Sequence, residues 1–381
     1  MKKKQQTKNL KATPKGGGER SKPAIYSFFS GAGFLDLGFE LAGFEIQYVN
    51  EIHQPFLAAY QHSRKQMGIT SPINGYFAGD IQDCLNGYEG RKINAWIKSA
   101  KVKKQVTGFI GGPPCPDFSI GGKNRGQHGE NGRLSKTYAD LISKYKPDFF
   151  VFENVKGLYR TARHREFFDA LKEQLKKSGY NLTERLINAI EYGAPQDRER
   201  IILFGVHKTF KKSDVTQFNW LENTRYAQSE AFEFNWPATD EIKLKRDCPK
   251  GIPEDLTVAY WFNRNNVESH PNSNHQFTPR AGLSKFKTIA EGDDSKKSYK
   301  RLHRWRYSPT AAYGNNEVHI HPYLPRRISV AEALAIQSLP KEFTLPPDMT
   351  LSNMFKTVGN GVPFLAANGL AKTIMNFLLE K

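Results

Sequence analysis

The chain has 381 residues, with 56 Lys and Arg against 38 Asp and Glu for a net charge of +18, and 38% hydrophobic content, enough for a soluble fold of two domains. Three cysteines give no disulfide framework, no CxxC, HExxH or paired Cys/His spacing supports a metal site, and the positive excess points to a polyanionic partner, most simply nucleic acid. No run approaches the ~20 apolar residues of a membrane helix and the lysine-rich start lacks a signal peptide's apolar segment, so a reduced, cytoplasmic setting and no membrane partner are expected.

Residues 1–22 read as a basic disordered tail, with eight Lys and Arg against one Glu and the run Gly16-Gly17-Gly18. The tail supplies +7 of the net charge, so most of the excess belongs to the folded body. From 23 to 207 short apolar runs alternate with amphipathic stretches. Strands are expected over 25–29, 47–50, 76–78, 106–110, 149–152, 182–189 and 201–206, and helices over 35–41, closed by Gly43, and 164–177, closed by Gly179. This rhythm predicts an α/β fold with a doubly wound, mostly parallel sheet.

The first strand runs into Phe29-Ser30-Gly31-Ala32-Gly33-Phe34 and then a helix, the position where open sheets bind nucleotides. Asp36 stands where a dinucleotide fingerprint has its third glycine, which argues against a docked pyrophosphate. Glu51 ends the second strand, where a carboxylate takes both hydroxyls of a ribose, and Asp80-Ile81 ends the third, where Asp80 is placed to accept from an adenine amino group. Ribose and adenine without a phosphate cradle suggest S-adenosylmethionine.

The fourth strand leads into Gly111-Gly112-Pro113-Pro114-Cys115-Pro116, a thiol held on a stiff loop by flanking prolines while the glycines let backbone approach a ligand. Residues 120–134 follow as a mobile loop with five glycines among Lys123, Arg125 and Arg133. Glu153-Asn154-Val155 ends the fifth strand. Gln196-Asp197-Arg198-Glu199-Arg200 opens the seventh, and alternation in an extended segment puts Arg198 and Arg200 on one side with Asp197 and Glu199 on the other.

Composition changes after 207. Residues 208–307 are polar and loop-rich and read as a smaller second domain. Within it 280–306 carries nine Lys and Arg against three acids, with Phe286, Tyr299 and Trp305 interleaved, a pattern suited to phosphate contact and base stacking. Residues 308–381 return to the first domain. Ser329 and Glu332 have capping-box spacing for a helix through Gln337, and Gly359-Asn360-Gly361-Val362-Pro363 makes a turn into a last helix over 364–379.

Cys115 and Glu153 together suit attack on a pyrimidine. Cytosine C5 becomes nucleophilic once a thiolate adds to C6, and a protonated Glu153 quenches the charge that develops at N3. Arg198 and Arg200 would fix the nucleophile loop and polarise the base O2.

These motifs, in this order over roughly 24–206 and 303–375, resemble those of the DNA (cytosine-5) methyltransferases. The resemblance implies a Rossmann-like class I methyltransferase fold with a target-recognition domain, and methyl transfer from S-adenosylmethionine to C5 of a flipped-out cytosine in a specific duplex DNA sequence. It implies Cys115 as nucleophile, Glu153 at N3, and Arg200 with Arg198 steadying the base. Phe29, Gly31, Ala32, Gly33, Phe34, Glu51, Ile52, Asp80, Ile81, Pro114, Asn360 and Gly361 would hold the cofactor, and Lys123, Arg125 and Arg133 the DNA. A monomer is implied, working in a restriction–modification system whose endonuclease acts separately. Two departures stand out: Pro116 replaces the family's usual glutamine, and Gly121 replaces a common serine. A tRNA cytosine-5 methyltransferase is the alternative enzyme, with a smaller insert expected than the one here. A catalytically silent DNA-binding homologue is the other, and would be expected to lack Cys115 or Glu153.

Overall fold

The computed structural model describes residues 21–114, 130–242, 247–279, 283–296, 298–311, 313 and 319–379. The tail to residue 20 lies outside them. Seven strands form one sheet: β1 (Ala24–Phe28), β2 (Glu45–Asn50), β3 (Tyr76–Phe77), β4 (Thr107–Gly111), β5 (Phe149–Val155), β6 (Tyr180–Asn188) and β7 (Glu199–His207). Their order is β3-β2-β1-β4-β5-β7-β6, with β1 to β5 parallel and β7 antiparallel to both β5 and β6. All seven expected strands are present.

Central strands of such a sheet are covered on both faces, which is why they read as unbroken apolar runs. Along β1 the side chains alternate between two cores: Ile25 faces α1 (Phe34–Leu41), while Tyr26 and Phe28 face the opposite layer. The first face also carries α2 (Gln54–Gln66). The opposite layer holds α3 (Ile81–Leu85), α4 (Gly87–Val102), α5 (Glu130–Tyr145), α6 (Lys156–Arg160) and α7 (Ala162–Lys177).

Helix α5 corrects one expectation: residues 130–134 are helical rather than part of a loop. The apolar positions Tyr138, Leu141 and Ile142, all fully buried, fall at helical spacing and outweigh the cost of about 1 kcal/mol for Gly132 in a helix.

Beyond β7 the chain forms α8 (Gln228–Glu233), α9 (Val258–Arg264), α10 (Leu283–Thr288), α11 (Val330–Ile336), α12 (Leu351–Asn360) and α13 (Phe364–Leu379). Trp261 and Phe262 of α9 share a core with Leu334 of α11 and with Met354 and Phe355 of α12. The expected capping box opens α11: the Ser329 hydroxyl accepts from Glu332 N at 3.2 Å, and Glu332 Oε2 accepts from Ser329 N at 2.7 Å. Gly359 and Asn360, expected in a turn, belong to the last turn of α12, whose buried Met354, Phe355 and Val358 carry the helix that far. Only 361–363 bend the chain into α13.

Helix α13 returns to the first face and packs on α1. Gly38 permits the approach, since a Cβ there would lie 2.6 Å from Ala367, and Asn368 Nδ2 donates to Gly38 O at 2.9 Å. By length and composition alone, 351–379 is apolar enough to cross a membrane, contrary to the expectation that no stretch is. Its apolar side chains, from Met354 to Leu378, are instead mostly buried in the cores.

The basic stretch 280–306 also differs from expectation. Phe286 is buried, and Arg301, fully buried, donates to the carbonyls of Phe286, Ile289, His321 and Leu324. Arg304 pairs with Glu291 at 2.7 Å and Arg306 with Asp294 at 2.8 Å. Arg301 ties this sheet-poor region together through backbone carbonyls, Arg304 through the Glu291 carboxylate and Arg306 through both kinds of acceptor. Lys285, Lys287 and Lys296 are the exposed cations of the stretch among the described residues.

Candidate active site

The parallel strands end at one edge of the sheet, and among the described residues Gly31, Glu51, Asp80, Pro114 and Glu153 lie at or just beyond those ends. After β1 the backbone takes left-handed conformations at Phe29 (φ 53°), Gly31 (φ 57°) and Gly33 (φ 76°). At Gly33 only glycine fits, because a Cβ would sit 2.4 Å from the Tyr60 ring and 2.8 Å from Arg64 Nη2. Beside Gly31 the space is open: no described atom lies within 4 Å of an added Cβ.

Glu51 fastens this loop. Its Oε2 accepts from Gly31 N and its Oε1 from His53 N, each at 2.8 Å. Burial raises the Glu51 carboxyl above the usual carboxylate range, opposed by the two amide donors and by Lys356 of α12. Asp80 caps α3, with Oδ1 accepting from Gln82 N at 2.9 Å. Ile52 is 59% exposed, an apolar side chain left bare beside Glu51.

Three residues expected at the cofactor place their side chains elsewhere. Ala32 and Phe34 belong to the core shared with α11 and α12, and Ile81 to the core beneath β1 and β2. Phe34 lies edge-on to Phe343 and would be struck at 2.1 Å by a Cβ on Gly361. Any ligand contact of these three runs through the main chain, whereas Asn360 is exposed.

The loop after β4 begins Gly112-Pro113-Pro114. Cys115, Pro116, Gly121, Lys123 and Arg125 lie outside the described residues, and Arg133 is exposed on the first turn of α5. Glu153, 8% exposed at the end of β5, reaches over this loop: an added Cβ at Gly112 would be 2.4 Å from Glu153 Oε2. Asn154 holds the loop from beneath, Nδ2 donating to Pro113 O at 3.3 Å.

Because β7 runs antiparallel to β5, its first residues arrive at the same edge as the last residues of β5, with Val155 opposite Arg200. Arg200 Nε donates to Glu153 Oε1 at 2.8 Å. Burial raises the Glu153 carboxyl above its ordinary range, and Arg200 and then Arg198 oppose the shift. Arg198, 2% exposed, also donates to Ala311 O at 2.8 Å and Gly359 O at 2.5 Å, joining this strand to two distant segments. Asp197 and Glu199 face away as alternation required: Asp197 accepts from Asn188 and Glu199 pairs with Lys156 and Arg160.

The loop-holding role of Asn154 and the buried Arg64 behind the glycine turn were not evident in the sequence. A lone arginine in a helix carries no signal that it is buried. Glu40 and Asp36 on α1, the acids Arg64 meets, were its only trace.

A model of the family described as C-5 cytosine-specific DNA methylase matches residues 24–376. The type II methyltransferase M.NmeDI of Neisseria meningitidis serogroup C is 64% identical over 360 residues, 94% of this chain and 85% of that one. The type II methyltransferase M.MthTI of Methanothermobacter thermautotrophicus is 30% identical over 92% of this chain and 96% of its own. Among solved structures, the S. pombe Dnmt2 methyltransferase has the same fold with a TM-score of 0.57 at 13% identity, covering 94% of this chain and 99% of that one.

Proposed function

The chain belongs to the C-5 cytosine-specific DNA methylases and is a sequence-specific DNA cytosine methyltransferase of the restriction–modification kind, and from that premise we propose how its residues divide the work. Cys115 adds as thiolate to C6 of a cytosine turned out of duplex DNA, and Glu153 supplies a proton at N3. The addition breaks the C5–C6 double bond and leaves C5 as the nucleophilic end of an enamine. Once C5 carries the methyl group, loss of the C5 proton to water, expulsion of the Cys115 sulfur as thiolate and return of the N3 proton to Glu153 restore the aromatic ring.

The methyl donor is S-adenosylmethionine, which when bound supplies an electrophilic methyl group on a sulfonium. The edge fits it. Open space at Gly31, the Glu51 carboxylate, the bare Ile52 side chain and the Asp80 cap offer a ribose-binding acid, an apolar surface and a second acceptor in sequence along three strand ends. Asn360, exposed at the end of α12, precedes Gly361, which lies against Phe34 of the same loop region.

The pairing of Glu153 with Arg200 beside Gly112 carries this reading. Burial favours the protonated acid, and a base seated over it removes further water, strengthening the shift. A positioned general acid contributes roughly 10²–10⁴ in rate. Arg200 holds the carboxyl in place and offers a cation to the base O2, while Arg198 steadies the pair.

Residues 208–307 choose the target sequence from the major groove, with Lys123, Arg125, Arg133 and the exposed lysines of 280–306 on the phosphates. The chain acts as a monomer in the cytoplasm, with a cognate endonuclease working separately. Expression in a host without cytosine-C5 methylation, followed by base-resolution mapping of 5-methylcytosine, tests the reading. One short duplex motif modified at nearly every occurrence is expected. Modification of tRNA alone would overturn it.

A further inference from the structure

Behind the glycine turn lies an ion cluster that the reaction does not use directly. Arg64 of α2 is 1% exposed, with its guanidinium stacked 4.2 Å from the Tyr60 ring centre. Its Nε donates to Glu40 Oε2 at 2.7 Å and its Nη2 to Gly33 O, also at 2.7 Å. One turn before Glu40 on α1, Asp36 is 1% exposed and accepts from the Ser27 hydroxyl of β1 at 2.9 Å.

Taking a guanidinium out of water is costly, and a well-packed apolar side chain fills such a volume as well or better. A charge retained there calls for something an apolar group does not do. Gly33 turns its carbonyl into the protein at φ 76°, where it accepts from both Leu37 N and Arg64 Nη2. At the other end of the turn, Gly31 N is held by Glu51. The turn is thus gripped at both ends, by a carboxylate on the open side and a guanidinium on the buried side.

We propose that Arg64 is a positioning residue for the cofactor: acting through the Gly33 carbonyl, it locks the Gly31–Gly33 turn in the form that receives S-adenosylmethionine, with Glu40 aiming the guanidinium through its Nε. The inference rests on the reading of this turn as the S-adenosylmethionine site. Only a fork serves both partners at once, so lysine is not an equivalent substitute.

The test is calorimetric titration of wild type, Arg64→Lys and Arg64→Met with S-adenosylhomocysteine, alongside steady-state methylation of duplex DNA. For Arg64→Met, loss of about one charge-assisted hydrogen bond to the turn weakens binding about tenfold or more, and KM for S-adenosylmethionine rises by more than kcat falls, with KM for DNA unmoved. Arg64→Lys keeps the buried cation and the fold, and binds less tightly than wild type but better than Arg64→Met. Wild-type affinity in a folded Arg64→Lys protein would overturn the inference alone, even if Arg64→Met does not fold. A wild-type chain that does not bind S-adenosylhomocysteine would overturn the cofactor reading and this inference with it.

Discussion

Arg200 Nε meets Glu153 Oε1 at 2.8 Å across two antiparallel strands, at the edge where the parallel strands end. The pair gives the acid two opposed influences: burial holds its proton and the guanidinium loosens it, with burial the larger. Glu153→Gln keeps the size and a hydrogen-bond donor but has no proton to transfer. Its kcat is expected to fall roughly 10²–10⁴-fold, the range of a lost general acid, while affinity for S-adenosylhomocysteine is retained. Wild type needs the acid protonated, so the Glu153 contribution to kcat declines as pH rises through its elevated pKa, and the variant lacks that limb. A Glu153→Gln enzyme with near-wild-type kcat would remove Glu153 from the chemistry.

Gly112 is the contact between the nucleophile loop and this acid. An alanine Cβ would lie 2.4 Å from Glu153 Oε2, so either the carboxyl or the loop must shift. Displacement of about 1 Å at a reacting centre costs roughly 10²-fold, and Gly112→Ala is expected to lose that in kcat with little change in melting temperature or cofactor affinity. Single-turnover methylation with both substrates saturating measures it directly, and an unimpaired rate would show that the loop is free to move away.

The ends of the strands were legible in the sequence because charge interrupts apolar runs there: Glu51 after β2, Glu153 after Phe149–Phe152, and the Arg198 and Arg200 alternation at the start of β7. Such acids have no place in a buried run unless the strand is ending at a site. What was not legible depends on contacts between distant segments. Phe34 and Phe286 look like free aromatics in glycine-rich or basic surroundings, and their burial is set by Phe343 and Gly361 in one case and by the Arg301 carbonyl cluster in the other. The start of α5 was hidden by glycines whose cost is small beside the burial of Tyr138 and Ile142.

The acids around Arg64 give a pH dependence of stability. Burial, partly offset by Arg64, raises Asp36 to about 6 and Glu40 to about 7. The folded chain therefore holds these protons more tightly than the unfolded chain does. Their stabilisation is complete below the ordinary carboxylate range and is lost as pH rises through about 7 for Glu40. Between pH ~5 and ~8, the melting temperature of wild type is expected to drop more steeply than that of Glu40→Gln, which cannot ionise there. Parallel melting curves for the two proteins would contradict the shift at Glu40.

The central claim is that Cys115 forms a covalent bond to the target cytosine. A duplex carrying 5-fluorocytosine at the methylated position, incubated with the enzyme and S-adenosylmethionine, has no proton to lose from C5 and should trap the adduct. Peptide mass spectrometry is predicted to find the modified base on Cys115, with no trapped complex from Cys115→Ala, which should still bind S-adenosylhomocysteine. An adduct on Cys84 or Cys248, or 5-methylcytosine made by Cys115→Ala, would contradict the account.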